Sequence, residues 1–208
     1  MIKPVSCVDY GLFLELKMKK TLLCSIFSAL VWLPLSVQAV EVSGVNVPEK
    51  VATAEGTLHL NGAGVRKKMM FEVYVASLYV TQKSADAVAV LGSNAPRRMQ
   101  LTMLRNVEAA SLYQALLDGL QANLSAGQLK ELAPKVAELE KIFAEIKSVS
   151  KGDVIVLDFI PSQGSKVSVR GRAMGVIEGD VFANALLSIW LGRVPVSEDL
   201  KKGLLGKG

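Results

Sequence analysis

The sequence predicts an α+β fold: one domain with a mainly antiparallel sheet and helices packed on one side. Three observations carry that reading. Leu58 and Leu60 alternate with polar neighbours as in a half-buried strand, and residues 69–80 form a Pro-free run rich in Val, Tyr, Phe and Met that reads as a central strand. Residues 107–124 and 128–147 repeat apolar side chains at helical spacing, so each has one face to bury. Strand-like runs return between residues 153 and 178, separated by Gly-rich and Ser-rich turns.

The chain opens with a segment that reads as a leader. Residues 18–39 carry Lys19-Lys20, an apolar run to Leu35, and Val37-Gln38-Ala39 in the small-x-small order that a signal peptidase reads. Pro34 interrupts the apolar run, which is short for a bilayer span of roughly 20 residues, so cleavage after Ala39 and a periplasmic product are expected. Residues 1–17, with Asp9 and Glu15, suit neither a signal peptide nor a domain and read as an upstream start assigned in error. Cys24 has no apolar segment ahead of it and is not read as a lipid attachment site. Both cysteines, Cys7 and Cys24, precede the cut, so the mature chain is expected to carry no disulfide and no thiolate site.

Residues 40–208 are then a single domain with room for a substantial core. Four of the 24 basic and two of the 19 acidic residues lie in the leader, which leaves 20 against 17 and a net charge of +3. The basic pairs Lys67-Lys68, Arg97-Arg98 and Lys201-Lys202 are scattered, without interleaved aromatics, and read as solvated surface; nucleic acid is not an expected partner.

Taken in order, residues 40–47 read as an edge hairpin, and Gly62-Ala63-Gly64 as a turn into the long strand, with Arg66 near its start. Ser84 is expected to cap a short helix over 85–91, and residues 99–104 alternate with Met99, Leu101 and Met103 on one side. In the two amphipathic helices, Leu112, Ala115, Leu116, Gly119 and Leu120, then Leu132, Val136, Leu139, Phe143 and Ile146, form the apolar faces, with Pro134 breaking the second near its start. Strands over 153–160, 166–170 and 174–178 follow. An apolar helix over 181–191 ends at Gly192, and Ser197 with Glu198 and Asp199 opens a last short helix.

The residue inventory excludes several chemistries. His59 is the single histidine and sits between leucines in a strand, and no GxSxG elbow exists for a Ser-His-Asp triad. Imidazole metal clusters are excluded by that count, and the carboxylates lack DxDxDG or HExxH spacing, so no metal and no cofactor are expected. Gly62-Ala63-Gly64 is followed by a strand and lacks the third glycine of a dinucleotide fingerprint. Glu72 and Tyr74 share a strand face with Met70, so an inward Arg66 would let the three polar side chains converge. A buried ion pair beside a satisfied tyrosine is the plain alternative. An Arg contact worth roughly 1.5 to 3 kcal/mol would orient a carboxylate, while its tail contributes about 0.8 kcal/mol per buried CH₂. Met69, Met70, Met99 and Met103 are candidates to line such a pocket adaptably.

The run Leu60-Asn61-Gly62-Ala63-Gly64-Val65-Arg66, the strand end Ser77-Leu78-Tyr79-Val80, and the tail Trp190-Leu191-Gly192 through Val196-Ser197-Glu198-Asp199-Leu200-Lys201 resemble the chalcone isomerase family. The likeness is to bacterial, signal-peptide-bearing chalcone isomerase-like proteins and spans roughly residues 47–205. It implies an open-faced β-sandwich, a large antiparallel sheet backed by helices. In the isomerases of that family an arginine after the Gly-Ala-Gly stretch binds and polarises the flavonoid, and Arg66 matches it. The family's strand threonine falls on Tyr74, its tyrosine on Leu112 beside Tyr113, its asparagine on Gly119, and its late helical Thr or Ser on Ile189. Four of these five polar positions are changed, which removes the donors that order water and phenolate in the cyclisation.

The non-catalytic branch of the family includes fatty-acid-binding proteins, in which arginine and tyrosine hold a carboxylate at the mouth of an apolar cleft. The resemblance therefore implies a periplasmic binder of a fatty acid or similar amphipathic carboxylate, with Arg66, Tyr74, Tyr79 and Tyr113 as ligand-binding candidates. Its partner is a lipid-like small molecule, and transient contact with a membrane surface is compatible with that role. An isomerase or lyase using Arg66 as electrophile and Tyr74 as acid is the first alternative. A structural or interaction module without ligand is the second.

Overall fold

The structure is a computed structural model that describes residues 39–207. Apart from Ala39, the leader expected over 1–17 and 18–39 lies outside the described residues. The strands are β1 (Ala39–Val42), β2 (Val45–Pro48), β3 (Lys50–Thr53), β4 (Gly56–Lys68), β5 (Phe71–Val80), β6 (Arg97–Met103), β7 (Val107–Glu108), β8 (Ser148–Val149), β9 (Val154–Ile160), β10 (Gly164–Val169) and β11 (Arg172–Ile177). Seven form the main sheet in the order β11-β10-β9-β6-β5-β4-β3, every neighbouring pair antiparallel. β1 and β2 make the expected edge hairpin, and β7 pairs with β8. β3 has no counterpart in the sequence reading, because four residues are too few to show a period.

The Gly-Ala-Gly stretch is not a turn. β4 runs unbroken for 13 residues through Gly62, Ala63 and Gly64, and the pairing with β5 absorbs register shifts between Leu60 and Gly62 and between Arg66 and Lys67. The hairpin turns instead at Met69-Met70, both strongly exposed, so the long strand begins at Phe71 and these two methionines line nothing. Gly62 is there for closeness: a Cβ on it would lie 2.8 Å from the Leu204 carbonyl oxygen and 2.9 Å from the Gly206 nitrogen, and would also strike the Gly203 carbonyl. Only a residue without a side chain admits that backbone.

The helices are α1 (Ala87–Leu91), α2 (Ala109–Asn123), α3 (Ala126–Ile146), α4 (Asp180–Leu191) and α5 (Glu198–Leu204). Asp86, not Ser84, caps α1, its carboxylate accepting from the Val88 N–H at 2.9 Å. α3 starts earlier than the sequence suggested because Ser125 and Gln128 form a reciprocal capping box. Pro134 stays inside α3; it lies on the exposed face, where water can satisfy the carbonyl its missing N–H leaves free. Ser197 caps α5 as expected, and Gly192 ends α4.

The sheet separates two apolar clusters. On one face Tyr74, Ala76, Leu78 and Val80 of β5 meet Leu112, Leu116 and Leu120 of α2, Leu139 and Phe143 of α3, and the nearly all-buried α4. On the other face Val75 and Tyr79 pack with Leu58, Leu60 and Val47 beneath the β1–β2 hairpin. Arg97 and Arg98 depart from the solvated reading. Arg97 is 5% exposed and donates to the Val90 and Leu91 carbonyls at the end of α1, both at 2.9 Å. Arg98 makes two bonds to Asp158, its cross-strand partner, at 2.6 and 2.9 Å.

Candidate functional site

Arg66 and Tyr74 are direct cross-strand partners near the turn of the β4–β5 hairpin. Opposed residues of an antiparallel pair place their side chains on the same face, here the face covered by helices. Together they border a cavity of about 110 Å³. Its walls come from Val73, Leu101 and Ile155 of the sheet, Val107, Leu112, Ala115 and Leu116 at and along α2, Phe143 of α3, and Ile189, Trp190 and Val196. Among the described residues that line it, those with polar side-chain atoms are Arg66, Lys68, Tyr74, Ser111 and Trp190.

The polar end is built around the Tyr74 phenol. Tyr74 is 7% exposed, and its oxygen accepts a hydrogen bond from Trp190 Nε1 at 3.1 Å. Burial raises the phenol above its usual range, partly offset by the Trp190 bond and the nearby Arg66 charge. The phenol therefore keeps its proton at neutral pH. Because Trp190 occupies a lone pair, the O–H remains a donor for a group in the cavity. Arg66 is half-buried, and its Nη1 donates to the Lys67 carbonyl. Among the described residues it forms no ion pair. A partly desolvated guanidinium and a neutral phenol O–H on neighbouring strands form a two-pronged site for an anion.

The other candidates are not brought to this site. Tyr79 has the opposite parity on β5 and points into the cluster beneath the β1–β2 hairpin, because β5 keeps an unshifted register with β6 from Tyr74 to Val80. Its hydroxyl is buried and, among the described residues, has no partner at hydrogen-bond geometry; burial pushes the phenol up to about 12 despite Ser77 and Arg98 nearby. Tyr113 lies on the next face of α2, tilted against Phe143 with ring centroids 6.4 Å apart. Burial and Glu140 raise its phenol. Glu72 does not converge with Arg66; it pairs with Lys67 at 3.5 Å on the surface. Met99 and Met103 are fully enclosed core, apart from the cavity lining.

Two participants escaped the sequence reading. Lys68 brings a second cation to the mouth, and Trp190 orients the phenol from 116 residues away. Trp190 lies in a stretch that supported the resemblance, but nothing local to it signals a partner on β5. Leu112 and Ile189 do border the cavity, and Gly119 lies against Ile189, where a Cβ would come 2.7 Å from Cγ2. Three of the four changed positions, Leu112, Gly119 and Ile189, thus lie at or beside this site without a polar side chain, while the fourth, Tyr74, brings a phenol. Among the described residues, no three His, Cys, Asp or Glu side chains gather as metal ligands.

No curated protein matches the chain in sequence. The crystal structure of an Arabidopsis thaliana fatty-acid binding protein is similar in fold, with a TM-score of 0.62 and 14% identity, over 81% of this chain and 96% of that one. The family profile described as chalcone isomerase-like matches residues 39–206, and the chain belongs to that family.

Proposed function

We propose that the mature protein is a non-catalytic periplasmic binder of a fatty acid or similar amphipathic carboxylate. The observation that carries this reading is the apolar cavity with Arg66 and Tyr74 paired across its mouth and the Tyr74 oxygen tied to Trp190. A carboxylate there receives charge-assisted N–H bonds from Arg66 and the O–H of Tyr74, while Lys68 adds to the positive field. The fatty-acid binding protein of similar fold supports the choice of ligand class. The carbon lining at Leu112 and Ile189 supports a binder over an isomerase, since no side chain there holds water or a phenolate.

The cavity's size sets a condition on binding. At about 110 Å³ it is smaller than the roughly 300 Å³ at which ligand pockets begin. A long acyl chain enters only as the leucines of α2 give way, so binding is expected to be slow to saturate and to raise the melting temperature. Native mass spectrometry of residues 40–208 recovered from the periplasm, beside Arg66→Ala, tests the proposal. The expected result is a bound carboxylic acid, with affinity about 10- to 150-fold lower in the variant. A protein that arrives empty and takes up no long-chain carboxylate, with a variant altered only in melting temperature, refutes it.

A further inference from the structure

The β4–β5 hairpin ends in a tip that the packing of the domain does not explain. Lys68 and Phe71 are its last paired residues, with Met69 and Met70 as the two-residue loop between them. Met69 is 91% exposed, Met70 86% and Phe71 52%. Backbone preference does not explain the choice either. Met69 has φ +56°, and a two-residue hairpin loop with positive φ at its first position favours glycine there. Methionine at this point bears the strain and buries nothing. A residue that contradicts both its backbone and its solvent is expected where an external contact selects it.

The surroundings say what that contact is. Arg66, Lys67 and Lys68 lead into the loop, and the Arg105 guanidinium lies over the Phe71 ring, 4.6 Å from its centroid. The nearby acid Glu72 is paired with Lys67 at 3.5 Å, and among the described residues Arg66, Lys68 and Arg105 form no ion pair. Three consecutive apolar side chains inside a collar of cations match an anionic lipid bilayer, which offers hydrocarbon beneath a negative surface.

We propose that this tip docks the protein on anionic membranes, with Met69, Met70 and Phe71 entering the interface and Lys67, Lys68 and Arg105 at headgroup level. Arg66 and Lys68 also border the cavity, so docking turns its mouth toward the bilayer. An amphiphile then passes between membrane and cavity without exposing its tail to water. The docking itself stands apart from the ligand reading, because bare vesicles test it.

The experiment is co-sedimentation of residues 40–208 with vesicles of phosphatidylcholine alone, or of two parts phosphatidylcholine to one part phosphatidylglycerol. The variant is Met69→Gly with Met70→Ser, which touches neither the cavity nor the sheet pairing. Each cation at an anionic surface strengthens binding about fivefold, so the wild type is expected to prefer the mixed vesicles by at least about tenfold and to lose the preference at high salt. The variant is expected to bind about tenfold or more weakly while its melting temperature is unchanged or raised. Equal binding by the two proteins, or no preference for anionic vesicles, overturns the proposal. So does a concentration-dependent dimer in sedimentation that the variant abolishes while neither protein binds vesicles, since the tip would then serve a second copy of the chain.

Discussion

Replacing Gly62 by alanine tests the least expected contact in the fold. The new methyl would stand 2.8 Å from the Leu204 carbonyl oxygen and 2.9 Å from the Gly206 nitrogen, with the Gly203 carbonyl in its way as well. These are backbone atoms at the end of α5, so no side chain can swing aside. A small displacement of α5 costs about 1–3 kcal/mol by overpacking. A full undocking is worse. It uncovers Leu200 and Leu204, which are 1% and 0% exposed and are worth about 1.5–3 kcal/mol each, and it breaks the 2.8 Å bond from Asn61 to the Leu204 carbonyl. The expected loss is about 3 kcal/mol or more, or about 6–12 °C in melting temperature for a domain of this size. Trp190, the one tryptophan of residues 40–208, reports unfolding by fluorescence. Gly127→Ala is the control: the nearest atom, Ser125 Oγ, is 4.0 Å away in the first turn of α3, so the same methyl is expected to stabilise by up to about 1 kcal/mol. If Gly62→Ala melts with the wild type, α5 is not seated on β4 as described.

Trp190→Phe removes the donor that holds the Tyr74 oxygen, and is expected to cost about 1–3 kcal/mol in urea unfolding, to raise the Tyr74 phenol further in a spectroscopic pH titration, and to weaken carboxylate binding. An unchanged titration and unchanged binding would remove Trp190 from the site. Tyr79→Phe behaves oppositely. The folded chain keeps the Tyr79 proton up to about 12 while the unfolded chain releases it near 10.0, so this group's contribution is full below pH 10 and is lost as pH rises through that window. The variant is expected to be at least as stable at neutral pH, because it deletes an unpartnered buried hydroxyl, and to lose stability less steeply in alkali. Urea midpoints across pH check both statements, and a steeper alkaline loss in the variant would contradict the assigned environment.

Much of the scaffold was legible from nearest-neighbour pattern. Met99, Leu101 and Met103 fall on the buried side of β6, and Leu112, Leu116 and Leu120 face inward from α2, because periods of 2 and 3.6 record which face meets the core. Strand parity raised Arg66 and Tyr74 as candidates and the family likeness supported them, and they prove to be cross-strand partners. Tyr79 was misplaced for lack of register. Only the unshifted pairing of β5 with β6 decides that an odd step from Tyr74 carries a side chain through the sheet. Arg97 was misread because its acceptors are helix-end carbonyls, which have no sequence signature.

Gly62-Ala63-Gly64 marks the division most clearly. Residue types alone told that this is an α+β chain with an antiparallel sheet, amphipathic helices and no histidine cluster, since propensity, period and composition are properties of adjacent residues. Glycines, however, permit both a bend and a close approach, and the sequence does not distinguish them. Tertiary structure resolved that choice by seating α5 on β4, just as it joined Trp190 to Tyr74 across 116 residues and left Met69 bare at the hairpin tip. Each is a relation between segments far apart in the chain, set by which surfaces fit together after the local elements have formed.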